Sequence, residues 1–111
     1  MDASQKEVHD AYAALYKYLD DAYWAASTIE GKDFIRGAAD AVSDCVTALD
    51  VEDIKSRTAD FKRLSEQVQM TQTKLNKLKE QIDDIIHKVD VAKSVTDAIG
   101  KAVSLAAKFF P

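Results

Sequence analysis

The chain has 111 residues, of which 47% are hydrophobic and 31% are charged, a balance typical of globular domains that argues against wholesale disorder. A single proline, Pro111, and three glycines leave few places for turns, so the composition predicts an all-α fold with one domain. The net charge of −4 and the lack of a Lys/Arg cluster argue against nucleic-acid binding.

The N-terminal residues are polar and acidic, unlike a secretory signal. The sequence contains no stretch of 18 uncharged apolar residues, so no transmembrane helix is predicted. Cys45 is the single cysteine and has no partner for an internal disulfide, which fits a reducing compartment. We therefore expect a soluble, cytoplasmic protein. Residues 1–50 carry a net charge of −6 and residues 51–111 a net charge of +2, so we also expect the two halves to pack together.

The first predicted helix covers residues 4–29. Ser4 and Glu7 have the spacing of a capping box, in which the serine hydroxyl and the glutamate satisfy each other's backbone amides. Its apolar stripe at 3-4 spacing consists of Val8, Tyr12, Leu15, Leu19, Ala22, Ala26 and Ile29. Residues 30–32 are predicted to form the following turn, because Gly31 suits the left-handed position after a helix end.

The second predicted helix covers residues 34–49, with Asp33 as its N-cap. Its apolar stripe consists of Ile35, Ala38, Val42, Cys45 and Leu49. The apolar register slips by two positions between Ile29 and Ile35, which favours a turn over one unbroken helix. The first two helices are thus predicted to form a hairpin.

Residues 51–109 are predicted to form one long helix of coiled-coil type, because the apolar residues keep a period near 3.5 over many turns. Heptad position a is occupied by Phe61, Val68, Leu75, Ile82, Val89, Thr96, Val103 and Phe110. Heptad position d is occupied by Leu64, Thr71, Leu78, Ile85, Ala92, Ile99 and Ala106.

The predicted long helix is too long for its own chain to cover. It would span roughly 87 Å at about 1.5 Å per residue, against about 39 and 24 Å for the first two helices. Either it breaks, with Gly100 and the Thr71 region as candidates, or partner helices cover part of it. We expect a homo-oligomer or a helical protein partner, with an interface formed by Leu64, Val68, Leu75, Leu78, Ile82 and Ile85.

Aromatic residues concentrate in the first predicted helix and form a second candidate interface, represented by Tyr16, Tyr23 and Trp24. Tyrosine and tryptophan are favoured at protein interfaces because they are large and stiff and keep a polar tip. Trp24 falls outside the apolar stripe, which favours an intermolecular contact. The alternative is that these side chains cover the edges of an intramolecular bundle.

The C-terminal segment 91–110 is predicted to be an amphipathic helix, with small apolar residues on one face and lysines on the other. Helices that lie on membrane surfaces have this pattern, and Val103, Phe109 and Phe110 would be the membrane contacts. The alternative, which the unbroken upstream heptad pattern favours, is a helix docked in its own bundle.

No residue pattern in the chain predicts catalysis. Asp84 and His87 have a spacing that can hold a metal, but they lie on the outward face, where a solvated acidic surface is the better interpretation. Cys45 lies on an apolar stripe without basic neighbours and is interpreted as buried filler. We therefore expect no catalytic residues, no cofactor and no metal. The predicted function is non-enzymatic assembly or interaction, with membrane activity of residues 91–110 as the alternative.

Overall fold

The computed structural model describes residues 3–110, and within that range the chain forms four α-helices and no β-strand, which confirms the all-α prediction. A 3-10 turn, Ile54–Ser56, lies in the connection between the second and third helices. The helices are α1 (Gln5–Ala25), α2 (Ile29–Leu49), α3 (Thr58–Ile85) and α4 (Val89–Phe109).

The four helices pack as a closed bundle. Helix α1 lies against α2 and α4, and α3 completes the ring by packing less extensively against α2 and α4. Short connections make sequential helices antiparallel, so the order is up-down-up-down. The longest dimension is 43 Å, which matches the roughly 42 Å expected for α3 at about 1.5 Å per residue. We call the end with connections 26–28 and 86–88 the Trp24 end, and the opposite end the Phe110 end.

At the Phe110 end, the start of α1 is fixed by its cap and by one glutamine. The predicted capping box is present, with Ser4 and Glu7 joined by two hydrogen bonds of 3.1 Å. The Gln5 side-chain amide donates to the carbonyl oxygens of Leu49 and Val51 at 3.0 and 2.6 Å. Its Oε1 atom accepts from the backbone N–H of Ile54 at 2.9 Å. Gln5 therefore holds the α2–α3 connection against α1.

The predicted position of the first turn, residues 30–32, is wrong. Helix α1 ends at Ala25 and α2 begins at Ile29, because the Thr28 hydroxyl caps α2 by accepting from the backbone N–H of Gly31 at 3.0 Å. Gly31 is consequently buried within the first turn of α2 rather than placed after a helix end. Ile29, predicted to lie on the buried stripe, is exposed.

The helix predicted over residues 51–109 begins only at Thr58 and breaks at residues 86–88 into α3 and α4, so its unbroken form is wrong and the predicted alternative, a break, occurs. Neither Gly100 nor Thr71, the predicted break candidates, interrupts a helix. The break lies beside the α1–α2 connection, where Ala26 and Ile86 form an isolated antiparallel bridge. Because α4 folds back along α3, the apolar face that needs partner helices is half as long. The chain can therefore cover that face with its own helices.

A single apolar core runs the length of the bundle. Helix α3 buries its predicted a and d positions, but α4 buries d and g instead, because the break gives α4 its own rotation. Val89, a predicted a position, is 82% exposed as a result. The α4 residues in the core are Ala92, Val95, Ile99, Ala102, Ala106 and Phe109.

Candidate interaction surface

The six α3 residues predicted as the partner interface face the core of their own bundle. They are at most 7% exposed and contact the other helices of the same chain: Leu64, Val68, Leu75, Leu78, Ile82 and Ile85. A partner helix would reach them only if the bundle opened. The heptad pattern therefore corresponds to intramolecular packing in this structure.

The predicted aromatic group lies at the surface, on α1 near the Trp24 end. Trp24 is 73% exposed and Tyr16 is 42% exposed, whereas Tyr23 is partly buried against the core. The rings of Tyr23 and Trp24 meet edge to face, with centroids 5.2 Å apart. Tyr12, another member of this run, points into the core and is fully buried.

Two cations from α2 cover these rings. Lys32 Nζ lies 4.8 Å from the Tyr23 ring centroid and 5.6 Å from that of Trp24, and it donates to the Tyr23 carbonyl oxygen at 2.8 Å. The Arg36 guanidinium carbon also lies close to Tyr23, 4.6 Å from its ring centroid. Such cation–π contacts are attractive and favour this arrangement of the rings. Tyr16, Tyr23, Trp24, Lys32 and Arg36 are named here the aromatic–cationic surface.

A small depression of about 60 Å³ opens beside this surface, between α1 and α2. Leu19 and Ile35 form its apolar floor, and Asp20 and Asp40 add acceptors at its rim. The surface thus combines apolar area, donors and acceptors within two adjacent helices, which is the composition of protein-binding hot spots.

Sequence analysis identified the aromatic half of this surface but missed Lys32 and Arg36. The two cations are one helical turn apart, which places them on one face of α2. That signal was hidden because Lys32 was assigned to the predicted turn, outside the predicted helix. Thr28, a residue type favoured at N-caps, is the local signal that marks the true start of α2.

A larger groove of about 550 Å³ runs between α1 and α4. Small side chains, including Ala14 and Ala98, form its floor, and Glu7, Asp10 and Asp97 make its rim acidic. The Asp10 carboxylate accepts from His9 at 3.1 Å, and this hydrogen bond lowers the pKa of Asp10. Its lining is about equally polar and apolar, and it holds one aromatic and one cationic side chain, Tyr18 and Lys101, rather than a cluster like that on α1 and α2.

The predicted membrane contacts lie at the Phe110 end and are largely covered. Phe109 is 3% exposed, and its ring meets that of Phe61 edge to face at 6.0 Å. Phe110 stacks on Phe61 at 5.4 Å, and Lys55 Nζ lies 4.4 Å from the Phe109 centroid. Val103 and Phe110 are partly buried against the core. In this structure the aromatic pair closes the bundle end instead of pointing outward.

The remaining titratable groups of residues 3–110 do not assemble into a metal site. Among residues 3–110, no three His, Cys, Asp or Glu side chains are grouped as a metal site would require. Burial raises the pKa of the Cys45 thiol, whose Sγ lies 3.5 Å from Thr71 Oγ1. His87, with Asp83 and Asp84 before it, lies at the break between α3 and α4. No helix within residues 3–110 has both the length and the apolar character needed to cross a membrane.

Comparison with protein-family models, curated proteins and solved structures finds no match to this chain. Among the surfaces described above, the aromatic–cationic surface is the one that combines a largely exposed tryptophan with positioned cations.

Proposed function

We propose that this chain is a non-enzymatic interaction module that binds a protein partner through the aromatic–cationic surface. The observation that carries the proposal is Trp24, the chain's single tryptophan, which is 73% exposed. Trp, Tyr and Arg are the residue types most enriched among interface hot spots, and all three occur together here.

The chemistry of the surface indicates what the partner offers. Lys32 and Arg36 present donors beside the rings, so carboxylates on the partner would pair with them while apolar side chains cover Trp24. Because cation–π contacts already favour this arrangement of the rings, we expect binding to order few additional side chains. A helix or loop that carries acidic residues next to an apolar anchor fits these requirements.

This proposal keeps the predicted partner class, a helical protein or a second copy, but moves the interface away from α3. Binding through Leu64, Leu75 and Leu78 would require the partner to replace core contacts that the bundle already makes. Binding at Trp24 leaves the core intact, because the contact area is already exposed to solvent.

Partner binding is tested by comparing the proteins that the wild-type chain retains with those that the Trp24→Ala/Arg36→Ala variant retains. The control is Met70→Ala, which removes a 68% exposed apolar side chain from α3 and leaves the aromatic–cationic surface intact. A partner retained by the wild type and by the control, but lost from the double variant, would support the proposal. Circular dichroism checks that all three chains keep the same helix content.

The captured protein is then purified and titrated against the wild-type chain while Trp24 emission is recorded. Covering an exposed indole shifts its emission to shorter wavelength and reduces quenching by acrylamide. A partner without a tryptophan, or one with its tryptophans replaced, keeps the signal specific to Trp24. Retention of the partner by the double variant, or an unchanged emission spectrum at saturation, would overturn the proposal.

The membrane-active alternative requires α4 to leave the bundle, exposing Val95, Ile99 and Phe109 from the core. Cosedimentation with anionic liposomes distinguishes the two functions. Binding that is lost on truncation after Thr96, but kept by the Trp24→Ala variant, would favour the membrane and not the aromatic–cationic surface.

A further inference from the structure

The connection between α3 and α4 lacks the residues that normally stop a helix. Residues 86–88 are Ile-His-Lys, with neither glycine nor proline, and no side chain caps the start of α4. Three residues nevertheless leave helical geometry, with Ile86 and Lys88 in extended conformations. The break is therefore imposed by tertiary packing and is not encoded locally.

Three charges around the break favour a continuous helix, whereas a fourth, Asp90 in the first turn of α4, suits a helix start. Asp83 and Asp84 lie in the last turn of α3, where the helix dipole disfavours acidic side chains, and Lys88 lies at the start of α4, where it disfavours cations. In an unbroken helix these unfavourable ends disappear. Asp84 and Lys88 would then be four residues apart with the acid first, the favourable orientation for a helical ion pair, as would Asp83 and His87.

The apolar pattern also continues through the break. Val89 follows Ile82 by seven residues, so in an unbroken helix it would extend the buried stripe of α3. In the closed bundle Val89 is instead 82% exposed. Opening the connection thus places on the α3 stripe an apolar side chain that the hairpin leaves in solvent.

The closed hairpin is held by Ser27 in the α1–α2 connection. The Ile85 carbonyl oxygen accepts from the Ser27 backbone N–H at 3.0 Å and from its hydroxyl at 3.2 Å. In a continuous helix the same oxygen would accept from the N–H of Val89. Ser27 therefore occupies the hydrogen-bonding position that helix continuation would use.

We infer that two copies of this chain exchange α4, with residues 86–88 becoming helical so that 58–109 forms one continuous helix in each copy. Each α4 then fills the vacant position in the other copy's bundle and makes the same core contacts through Val95, Ile99 and Phe109. Exchange of an identical element between copies gives a dimer with little new interface. The inference does not depend on the aromatic–cationic surface.

The first test measures absolute mass by light scattering after refolding at low and high protein concentration. We expect a dimer that increases with concentration and then persists on dilution, because separation requires α4 to leave the partner bundle. Ser27→Ala removes one of the two hydrogen bonds to Ile85 in each closed chain. Each of these two losses should raise the dimer association constant by about two- to tenfold. The variant His87→Gly/Lys88→Asp supplies a helix stop and an N-cap, and it should remain monomeric.

Cross-linking distinguishes exchange from association of two closed bundles. Phe61 on α3 stacks on Phe110 at the end of α4, so this contact becomes intermolecular after exchange. In a Cys45→Ala background, Phe61→Cys/Phe110→Cys is treated with a short bismaleimide. Exchange predicts a covalent dimer on a denaturing gel from the dimer fraction, and an internally linked monomer from the monomer fraction.

Three outcomes would overturn the inference. They are a monomer at every concentration, a dimer whose cross-links are all internal, and a dimer that the His87→Gly/Lys88→Asp variant still forms. The second outcome would instead assign self-association to an exposed surface, and loss of that dimer in Trp24→Ala would place it at the aromatic–cationic surface.

Discussion

Gly31 lies directly against Ile85, and a methyl group built on Gly31 would meet Ile85 Cγ2 at 2.9 Å and Thr28 Oγ1 at 3.0 Å. The start of α2 and the end of α3 approach this closely because Gly31 has no side chain. The contact adjoins the Ser27–Ile85 hydrogen bonds, so one small region fixes the closed arrangement at the Trp24 end.

Gly31→Ala should therefore destabilise the chain, although alanine is the better helix former. The helical gain of about 1 kcal/mol is outweighed by overpacking, which costs about 1–3 kcal/mol in a tight site. Gly37→Ala is the matched control, because an added methyl there meets nothing within 4 Å, and it should gain about 0.5–1 kcal/mol. Urea unfolding followed by circular dichroism measures both, and equal stability of the two variants would refute this account.

Tyr12→Phe should stabilise the bundle. The Tyr12 hydroxyl is buried and makes no hydrogen bond within residues 3–110, so its removal should raise the free energy of unfolding by about 1 kcal/mol. Burial raises the pKa of this hydroxyl, while in the unfolded chain the pKa is about 10. The wild type should thus lose stability as the pH rises above about 10, through deprotonation of the unfolded state.

Urea unfolding at neutral pH and at about pH 11 checks both parts of the Tyr12 prediction. The phenylalanine variant should lose less stability between the two pH values, since the other tyrosines and the lysines are common to both chains. An equal loss in the two chains would show that Tyr12 does not contribute.

The Cys45 thiol should be inert in the folded protein. It is fully buried and its pKa is raised by burial, so at neutral pH it is protonated and out of reach of solvent. A disulfide reagent should react with it at a rate limited by unfolding, and raising the pH to about 9 should not restore the rate of an exposed thiol. The same protein in urea provides the control. Rapid stoichiometric labelling without denaturant would contradict the burial of Cys45.

Leu78→Asp should unfold the bundle. Leu78 is fully buried among the other helices of its own chain, and an unpaired carboxylate there should cost about 4 kcal/mol or more. Met70→Asp, on the exposed face of the same helix, should change stability by less than about 0.5 kcal/mol. Circular dichroism and light scattering are measured together. If the Leu78→Asp chain stayed folded and light scattering showed only that an oligomer had dissociated, the α3 stripe would lie between chains.

The buried faces of α2 and α3 could be predicted because apolar spacing is a local signal. The α2 stripe from Ile35 to Leu49 and the α3 stripe from Leu64 to Ile85 are both buried as their periodicity predicts. The Ser4–Glu7 capping box was likewise predictable, since its two partners are three residues apart.

The breaks could not be predicted in the same way. Glycine often follows a helix end, so Gly31 predicts a turn, whereas its role is to let α3 approach, which depends on a residue 54 positions away. At residues 86–88 no glycine, proline or side-chain cap marks the break, which forms where the chain contacts Ala26 and Ser27. Lys32 was missed as a partner of Arg36 because its place on α2 depends on the first of these errors.

The Gln5 hydrogen bonds to Leu49 and Val51 and the stacking of Phe110 on Phe61 place both described chain ends at one pole of the bundle, about as far from Trp24 as the molecule allows. If the protein were tethered to a surface through either end, the Phe110 end would face that surface and Trp24 would face the solution. Immobilised on a sensor chip through either end, the chain would present its aromatic–cationic surface to molecules in solution. Attachment through the N-terminal end and through the C-terminal end should therefore give the same binding signal.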